Sequence, residues 1–336
     1  MRVIFMGTPD FAVGTFAALA EAGHEIVLAV TQPDKPRGRG KSMQYSPVKA
    51  EALSRGIEVY QPRRVREPEC AQHLRSFRPD IIVVAAFGQI LPKEILGLPP
   101  YGCINVHASL LPKYRGAAPV QWAVINGETV TGVTTMRMDE GLDTGDMIMK
   151  AEVTLNPGET GGSLFERLSE AGAKLCVRTL EEIEAGTAVY TRQDNAQATY
   201  TKMIKKEFGN IDWSRPAAEI ERLVRGLDPW PSAYTKLRGK TFKIWRAEAV
   251  LDGDTCADSC GDKKPDDSAE ASRMAVKESD SQKEPGTILQ ADKRGILVQT
   301  GCGLLLLKEV QLEGKKRMAA DAFLRGFQLS DGELLE

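Results

Sequence analysis

The chain has 336 residues, 42% hydrophobic and 27% charged, with a formal net charge of −2. That length predicts two domains, each able to bury a core of its own. No run of 18 apolar residues predicts a membrane span. Neither a secretory nor a mitochondrial leader pattern is present, so the expectation is a cytoplasmic chain.

In chain order, the first half alternates short apolar runs with helix-period segments, the pattern of a parallel sheet with crossover helices. Residues 2–6 predict a strand, Gly7-Thr8-Pro9-Asp10 a turn, and 11–22 a helix stopped by Gly23. Residues 25–31 predict a second strand. Ser46 and Pro47 predict the cap and first position of a helix running to Arg55, with Gly56 as its stop. Residues 57–60, 80–85 and 102–106 read as further strands, the last two almost wholly apolar, as a sheet covered on both faces requires. Residues 117–126 read as helix, 132–138 and 147–153 as late strands, and 160–185 as a long amphipathic helix. Gly7-Thr8-Pro9 is not Gly-x-Gly-x-x-Gly, which argues against a nicotinamide cofactor.

Beyond residue 194 the text becomes polar and turn-rich. A short helix at 217–226 is followed by strand-like pieces at 233–237, 240–250, 286–291, 295–299 and 304–311, which suggest a small β-barrel. Residues 252–284 interrupt it with ten acidic and five basic residues and no aromatic, and read as a mobile insertion. Its local charge of −5 leaves +3 for the remaining chain, so the overall balance hides clustered positive charge. The six cysteines show no Cys-x-x-Cys pair and no nearby histidine, so neither a disulfide framework nor a metal site is expected.

The densest chemistry runs from Gly102 to Gly116. Asn105 and His107 lie two residues apart at the end of an apolar strand, so both side chains leave one face at the carboxyl end, where open α/β sheets bind ligands. An amide donor beside an imidazole suits oxyanion stabilisation and proton transfer; it also suits a polar strand end that merely caps a sheet. The loop Asp139-Glu140-Gly141-Leu142-Asp143-Thr144-Gly145-Asp146 offers a carboxylate to orient the imidazole, or a solvated turn.

Taken together, Asn105-Val106-His107, Ser109-Leu110-Leu111-Pro112 with Arg115-Gly116, and Gly141-Leu142-Asp143-Thr144-Gly145 resemble the motifs of the formyltransferase family that uses 10-formyltetrahydrofolate. Gly7-Thr8-Pro9-Asp10-Phe11, Phe87-Gly88 with Leu91-Pro92, and Gly116-Ala117-Ala118-Pro119 extend the likeness to almost the whole chain except 252–284. The resemblance implies an α/β fold: a Rossmann-like catalytic domain over 1–189, a linker at 190–209, and an OB-like barrel that binds tRNA over 210–330. It implies catalysis by Asn105, His107 and Asp143, a pterin held by Ser109, Leu110, Leu111 and Pro112, no metal, and a monomer. It also implies methionyl initiator tRNA as the acceptor.

The basic segment bears on that acceptor. Lys35, Arg37, Arg39 and Lys41, spaced by Gly and Pro, form a flexible cationic loop suited to a phosphate backbone, or a merely solvated one. The resemblance brings this loop toward the tRNA, with Arg39 in the key position, and Lys206 belongs to further positive charge suited to a nucleic-acid backbone. Trp213, Trp230 and Trp245 are expected to serve core packing rather than base stacking. Two other readings share part of this pattern. A formyltransferase acting on a small amine, such as an amino sugar nucleotide, would use the same trio without needing the basic loop. A non-enzymatic RNA-binding protein would leave the Asn-x-His strand without purpose.

Overall fold

Val3, Ile4, Phe5 and Met6 of β1 (Arg2–Gly7) are fully buried on both faces of the strand, because helices cover both faces of its sheet. The computed structural model describes residues 1–37, 42–250 and 283–336, and the chain forms two units. The first comprises Met1–Val120, Glu128–Pro157 and Ser163–Met203; the second comprises Gln121–Gly127, Gly158–Gly162 and Ile204–Glu336.

After β1 come α1 (Asp10–Glu21), β2 (Glu25–Val30), β3 (Lys35–Arg37), β4 (Ser42–Gln44), α2 (Pro47–Ser54), β5 (Val59–Tyr60), α3 (Pro68–Ser76) and β6 (Ile81–Ala85). They are followed by α4 (Lys93–Leu96), β7 (Cys103–His107), β8 (Arg115–Gly116), α5 (Pro119–Ile125), β9 (Val130–Arg137), β10 (Met147–Thr154), α6 (Gly161–Ala185) and β11 (Tyr200–Thr201). The main sheet has the order β10-β9-β7-β6-β1-β2-β5. From β7 to β5 the pairs are parallel, while β9 runs antiparallel to β7 and β10 antiparallel to β9. The sheet is therefore mixed at one side. Ser46 caps α2 as expected, its hydroxyl accepting from the Lys49 amide at 3.2 Å.

Alternation along β7 decides what its residues face. Cys103 pairs in register with Ile82, and Asn105 with Val84, so they share a face with the cluster of Ile4, Met6, Leu28 and Val30. Val106 turns to the other face, where α6 comes close. A Cβ on Gly172 of α6 would lie 3.0 Å from a Val106 methyl, so this approach depends on a residue without a side chain. Phe5 and Phe16 meet edge to face on the α1 side, 5.1 Å between centroids. Within the segment expected to be a flexible basic loop, β3 and β4 pair antiparallel, Lys35 opposite Gln44 and Arg37 opposite Ser42.

The second unit holds α7 (Ala217–Gly226), β12 (Ala233–Leu237), β13 (Lys240–Val250), β14 (Ile288–Asp292), β15 (Gly295–Gln299), β16 (Leu304–Leu312), β17 (Met318–Ala319) and α8 (Ala320–Gly326). Its antiparallel order is β12-β13-β16-β15-β14, with β17 beside β16. The final residues join the two ends of this order. Lys236 of β12 exchanges backbone hydrogen bonds with Glu336 at 2.9 and 3.1 Å, while Leu335 donates to Gly286 O at 2.9 Å and Ile288 of β14 to Glu333 O at 2.8 Å. Without that tail the two outer strands would present unpaired edges. Phe242, Ile244, Ile296, Val298, Leu305 and Leu307 fill the interior. Trp213 is buried and donates to Thr235 Oγ1 at 3.1 Å. Trp245 is half-buried, with Arg317 4.6 Å above its ring. Trp230 corrects the expectation of core packing: it is 58% exposed. Cys70, Cys103 and Cys176 are free and buried. The acidic stretch lies outside the described residues from 251 to 282. No helix among the described residues is long and apolar enough to cross a membrane.

Candidate active site

Strand β7 delivers Asn105 and His107 to its carboxyl end, where both are almost fully buried. The loop after β9 brings Asp143 to them. Asn105 Nδ2 donates to Asp143 Oδ1 at 3.4 Å, and His107 Nδ1 lies 3.7 Å from Asp143 Oδ2. The Gly116 amide donates to the same Oδ2 at 2.9 Å. His107 Nε2 lies 2.9 Å from the carbonyl oxygen of Tyr114. A carbonyl only accepts, so Nε2 carries the hydrogen, and Nδ1 is the nitrogen turned toward the carboxylate. An amide and an imidazole nitrogen thus meet the two oxygens of one carboxylate.

The loop geometry behind this is specific. Asp143 has φ +55°, a left-handed conformation that non-glycine residues rarely adopt. Asp139 braces the loop by accepting from the Gly141 amide at 3.0 Å and from the Thr144 hydroxyl at 2.7 Å. Gly116 has φ +101°, and a Cβ there would stand 2.6 Å from Thr201 O, so glycine is required where the Asp143 carboxylate meets the backbone.

Residues Ser109, Leu110, Leu111 and Pro112 follow β7 directly, and their main-chain groups serve the loop's own closure. Ser109 N donates to His107 O, Lys113 N to Leu110 O and Thr199 N to Pro112 O. Thr134 Oγ1 donates to Ser109 O and accepts from Leu111 N, and Lys150 Nζ donates to Leu111 O at 2.6 Å. What the segment offers a ligand is therefore shape and apolar surface more than open hydrogen-bonding groups. Burial holds the Lys150 ammonium below its ordinary pKa. Burial also pushes the Cys103 thiol up to about 12, so the sulfur two residues before Asn105 is no nucleophile at neutral pH. Among the described residues no group of three His, Cys, Asp or Glu side chains is arranged to hold a metal ion.

Two apolar side chains stand open at this end of the sheet: Ile90, 74% exposed in the loop after β6, and Leu142, 52% exposed beside Asp143. The start of α4, which follows the Ile90 loop, comes near the loop of Leu142, with Lys93 Nζ 4.0 Å from Glu140 Oε1. Of the expected cationic residues, Lys35 and Arg37 lie in β3, and Arg39 and Lys41 fall outside the described residues. Lys206 is exposed in a 3-10 turn of the second unit, Lys206–Gly209. Sequence reasoning did not find Gln193, whose Nε2 donates to Asp143 O at 2.8 Å and Gly145 O at 2.7 Å. No periodicity or motif signalled that polar residue.

Comparison with known proteins supplies the family. The family model described as formyl transferase matches residues 1–180, and the formyl transferase C-terminal domain matches 203–328. The chain is 61% identical over 332 residues to the methionyl-tRNA formyltransferase of Agathobacter rectalis, covering 99% of this chain and 98% of that protein. The chain belongs to the methionyl-tRNA formyltransferase family. A second member, from Lachnospira eligens, is 53% identical over 335 residues, covering 100% of this chain and 99% of that one. Solved structures share the fold at low identity. An N-formyltransferase from Helicobacter canadensis, crystallised with folinic acid and dTDP-3-aminofucose, gives a TM-score of 0.61 at 16% identity over 91% of this chain and 98% of its own. HypX from Aquifex aeolicus in complex with tetrahydrofolic acid gives 0.60 at 16% identity over 100% of this chain and 51% of its own.

Proposed function

We propose that the chain transfers a formyl group from 10-formyltetrahydrofolate to the free amino group of methionyl initiator tRNA, giving the formylated charged tRNA used to begin translation. The observation that carries the chemistry is the gathering of Asn105 and His107 at the Asp143 carboxylate. The full-length likeness to methionyl-tRNA formyltransferases supports the acceptor.

The folate carrier supplies its formyl carbon as an amide-level electrophile, so the chain must stabilise developing negative charge on the formyl oxygen and take a proton from the attacking amine. Asn105 Nδ2 is a donor for that oxygen, and His107 Nδ1 is one when the ring carries both of its hydrogens; fixed donors in a desolvated pocket are worth more there than in water. Asp143 holds the orientation of both and accepts the amine's proton through a bridging water; collapse of the tetrahedral adduct breaks the bond between the formyl carbon and N10 of the carrier, and that proton passes to N10 as tetrahydrofolate leaves. The surroundings fit the carrier: Ile90 and Leu142 offer apolar cover to the faces of a flat heterocycle, and residues Ser109, Leu110, Leu111 and Pro112 supply a shaped wall. Lys35, Arg37, Arg39, Lys41 and Lys206 act on the tRNA backbone, with affinity that falls as salt rises. The same reading has the chain acting as a monomer in the cytoplasm, where charged tRNAs are used.

The test is a formyl-transfer assay with purified methionyl initiator tRNA beside uncharged tRNA, free methionine and an amino sugar nucleotide. Transfer to charged tRNA alone, weakening as salt rises, is expected. Transfer to the sugar nucleotide with none to charged tRNA would overturn the acceptor.

A further inference from the structure

Residues 191–201, read from sequence as linker, form a clasp over the two loops that carry the site. Thr191 exchanges backbone hydrogen bonds with Met147 at 2.9 and 2.8 Å. Tyr200 and Thr201 of β11 pair with Arg115 and Gly116 of β8, and Thr199 bonds to Pro112, Tyr114 and Arg115. Between these ties lies Gln193, 4% exposed, and beside it Arg115, 1% exposed.

The hydrogen bonds fix which way the Gln193 amide points. A guanidinium has only donors, and Arg115 donates to Gln193 Oε1 from Nε at 3.0 Å and from Nη2 at 2.9 Å. The oxygen must therefore face Arg115, which leaves both amide hydrogens for the carbonyls of Asp143 and Gly145. Arg115 also donates to Asn195 Oδ1 at 2.9 Å and Tyr200 OH at 3.0 Å, so the four hydrogen bonds described for its buried guanidinium all end on neutral oxygens. A buried guanidinium on one side of an amide polarises it and strengthens the donation from the other. That donation meets Asp143 where its backbone is strained at φ +55°, a conformation that persists only when its surroundings over-determine it.

We propose that Gln193, held by Arg115, is a positioning residue for formyl transfer: it acts through Asp143, fixing the carboxylate against Asn105 and His107. The inference deepens the proposed function and rests on its assignment of Asp143. Gln193 touches neither the amine nor the formyl carbon; its effect passes through the main chain of the loop.

The decisive variant is Gln193→Glu, which keeps two oxygens for Arg115 but removes the amide hydrogens facing Asp143 O and Gly145 O. Expected is a chain that still folds, with kcat down about 10- to 100-fold, the scale of a slightly misplaced catalytic group. KM for folate and for charged tRNA should stay within about twofold, because ground-state binding is not what the clasp controls. The cycle with Asp143→Ala, read as single-turnover rates at excess enzyme, should show Gln193→Glu adding less than about a twofold loss once the carboxylate is gone. A folded Gln193→Glu with native kcat, or an undiminished loss in the Asp143→Ala background, overturns the proposal. If Gln193→Glu does not fold, Arg115→Met with Gln193→Met removes the buried charge and the amide together, and the same cycle decides. A native chain that formylates an amino sugar nucleotide but not charged tRNA overturns the proposed acceptor instead, and the Gln193 ratio is then read with the sugar nucleotide.

Discussion

In the proposed reaction Asn105 and His107 contribute through where their nitrogens point, since neither side chain is large and both are nearly buried. Nε2 of His107 is committed to Tyr114 O, so the ring cannot rotate without losing a buried hydrogen bond, and Nδ1 stays directed at the carboxylate. Asn105→Ala and His107→Ala should each lower kcat by about 10²-fold or more, the usual cost of a lost oxyanion donor. Steady-state rates with charged tRNA check this, and near-native kcat in both variants would remove the assignment. The pair was legible in sequence because a strand has a period of two and an apolar strand has little reason to end on Asn-x-His. Read locally, Asp143 was only a member of a Gly- and Asp-rich loop, and it was the likeness of Gly141-Leu142-Asp143-Thr144-Gly145 to the family's motif that singled it out. Nothing local reveals that its carboxylate meets the amide of Gly116, 27 residues earlier in the chain.

Among the elements, the hairpin of β3 and β4 has a built base. Lys49 Nζ donates to Asp34 Oδ2 at 2.5 Å and Gln61 Oε1 at 2.7 Å, and Gln61 Nε2 donates to Asp34 Oδ1 and to Gln32 O, both at 2.9 Å. Lys49 also lies 4.2 Å above the ring of Tyr45. The lysine thereby ties α2 to the segment that leads into Lys35 and Arg37. Lys49→Met keeps most of the side-chain volume and removes the donor. On the proposed role of Lys35 and Arg37 at the tRNA, it should raise KM for charged tRNA several-fold while leaving folate binding unchanged, because the segment that carries them loses its anchor. Parallel titrations with the two substrates measure the difference; equal changes in both would mean that the network only supports the fold. The composition of residues 33–42 announced a cationic segment. Its pairing was not legible, since Lys-Pro-Arg and Ser-Met-Gln carry little alternation.

At the scale of the molecule, acid response follows from how the carboxylates are held. Hydrogen bonds lower the pKa of Asp34 through Lys49, Asp212 through Ser214, Asp292 through Arg294, Glu309 through Arg317 and Glu333 through Arg238. A carboxylate lowered in the folded state adds stability above its ordinary pKa and loses it as pH falls through the lowered one. Asp228 works the other way, because burial raises it, and its contribution is lost as pH rises. The lowered groups outnumber it, so the melting temperature should fall steadily on acidification below about pH 4, with Asp34→Asn flattening part of that fall. Thermal melts between neutral and acidic pH provide the measurement, and an unchanged melting temperature would refute the expectation.

The sequence by itself determined the alternation of strands and helices, the second unit of short strands, and the Asn-x-His strand end, because each is written in local periodicity and turn chemistry. Tertiary structure decided what depends on distant partners: the antiparallel β9 and β10, the exposure of Trp230, and the Glu333–Glu336 tail that joins β12 to β14. It also decided that Gln193 stands between Arg115 and Asp143, 78 and 50 residues away along the chain. A hydrogen bond between loops imposes no repeat on either segment, so only the folded chain displays it.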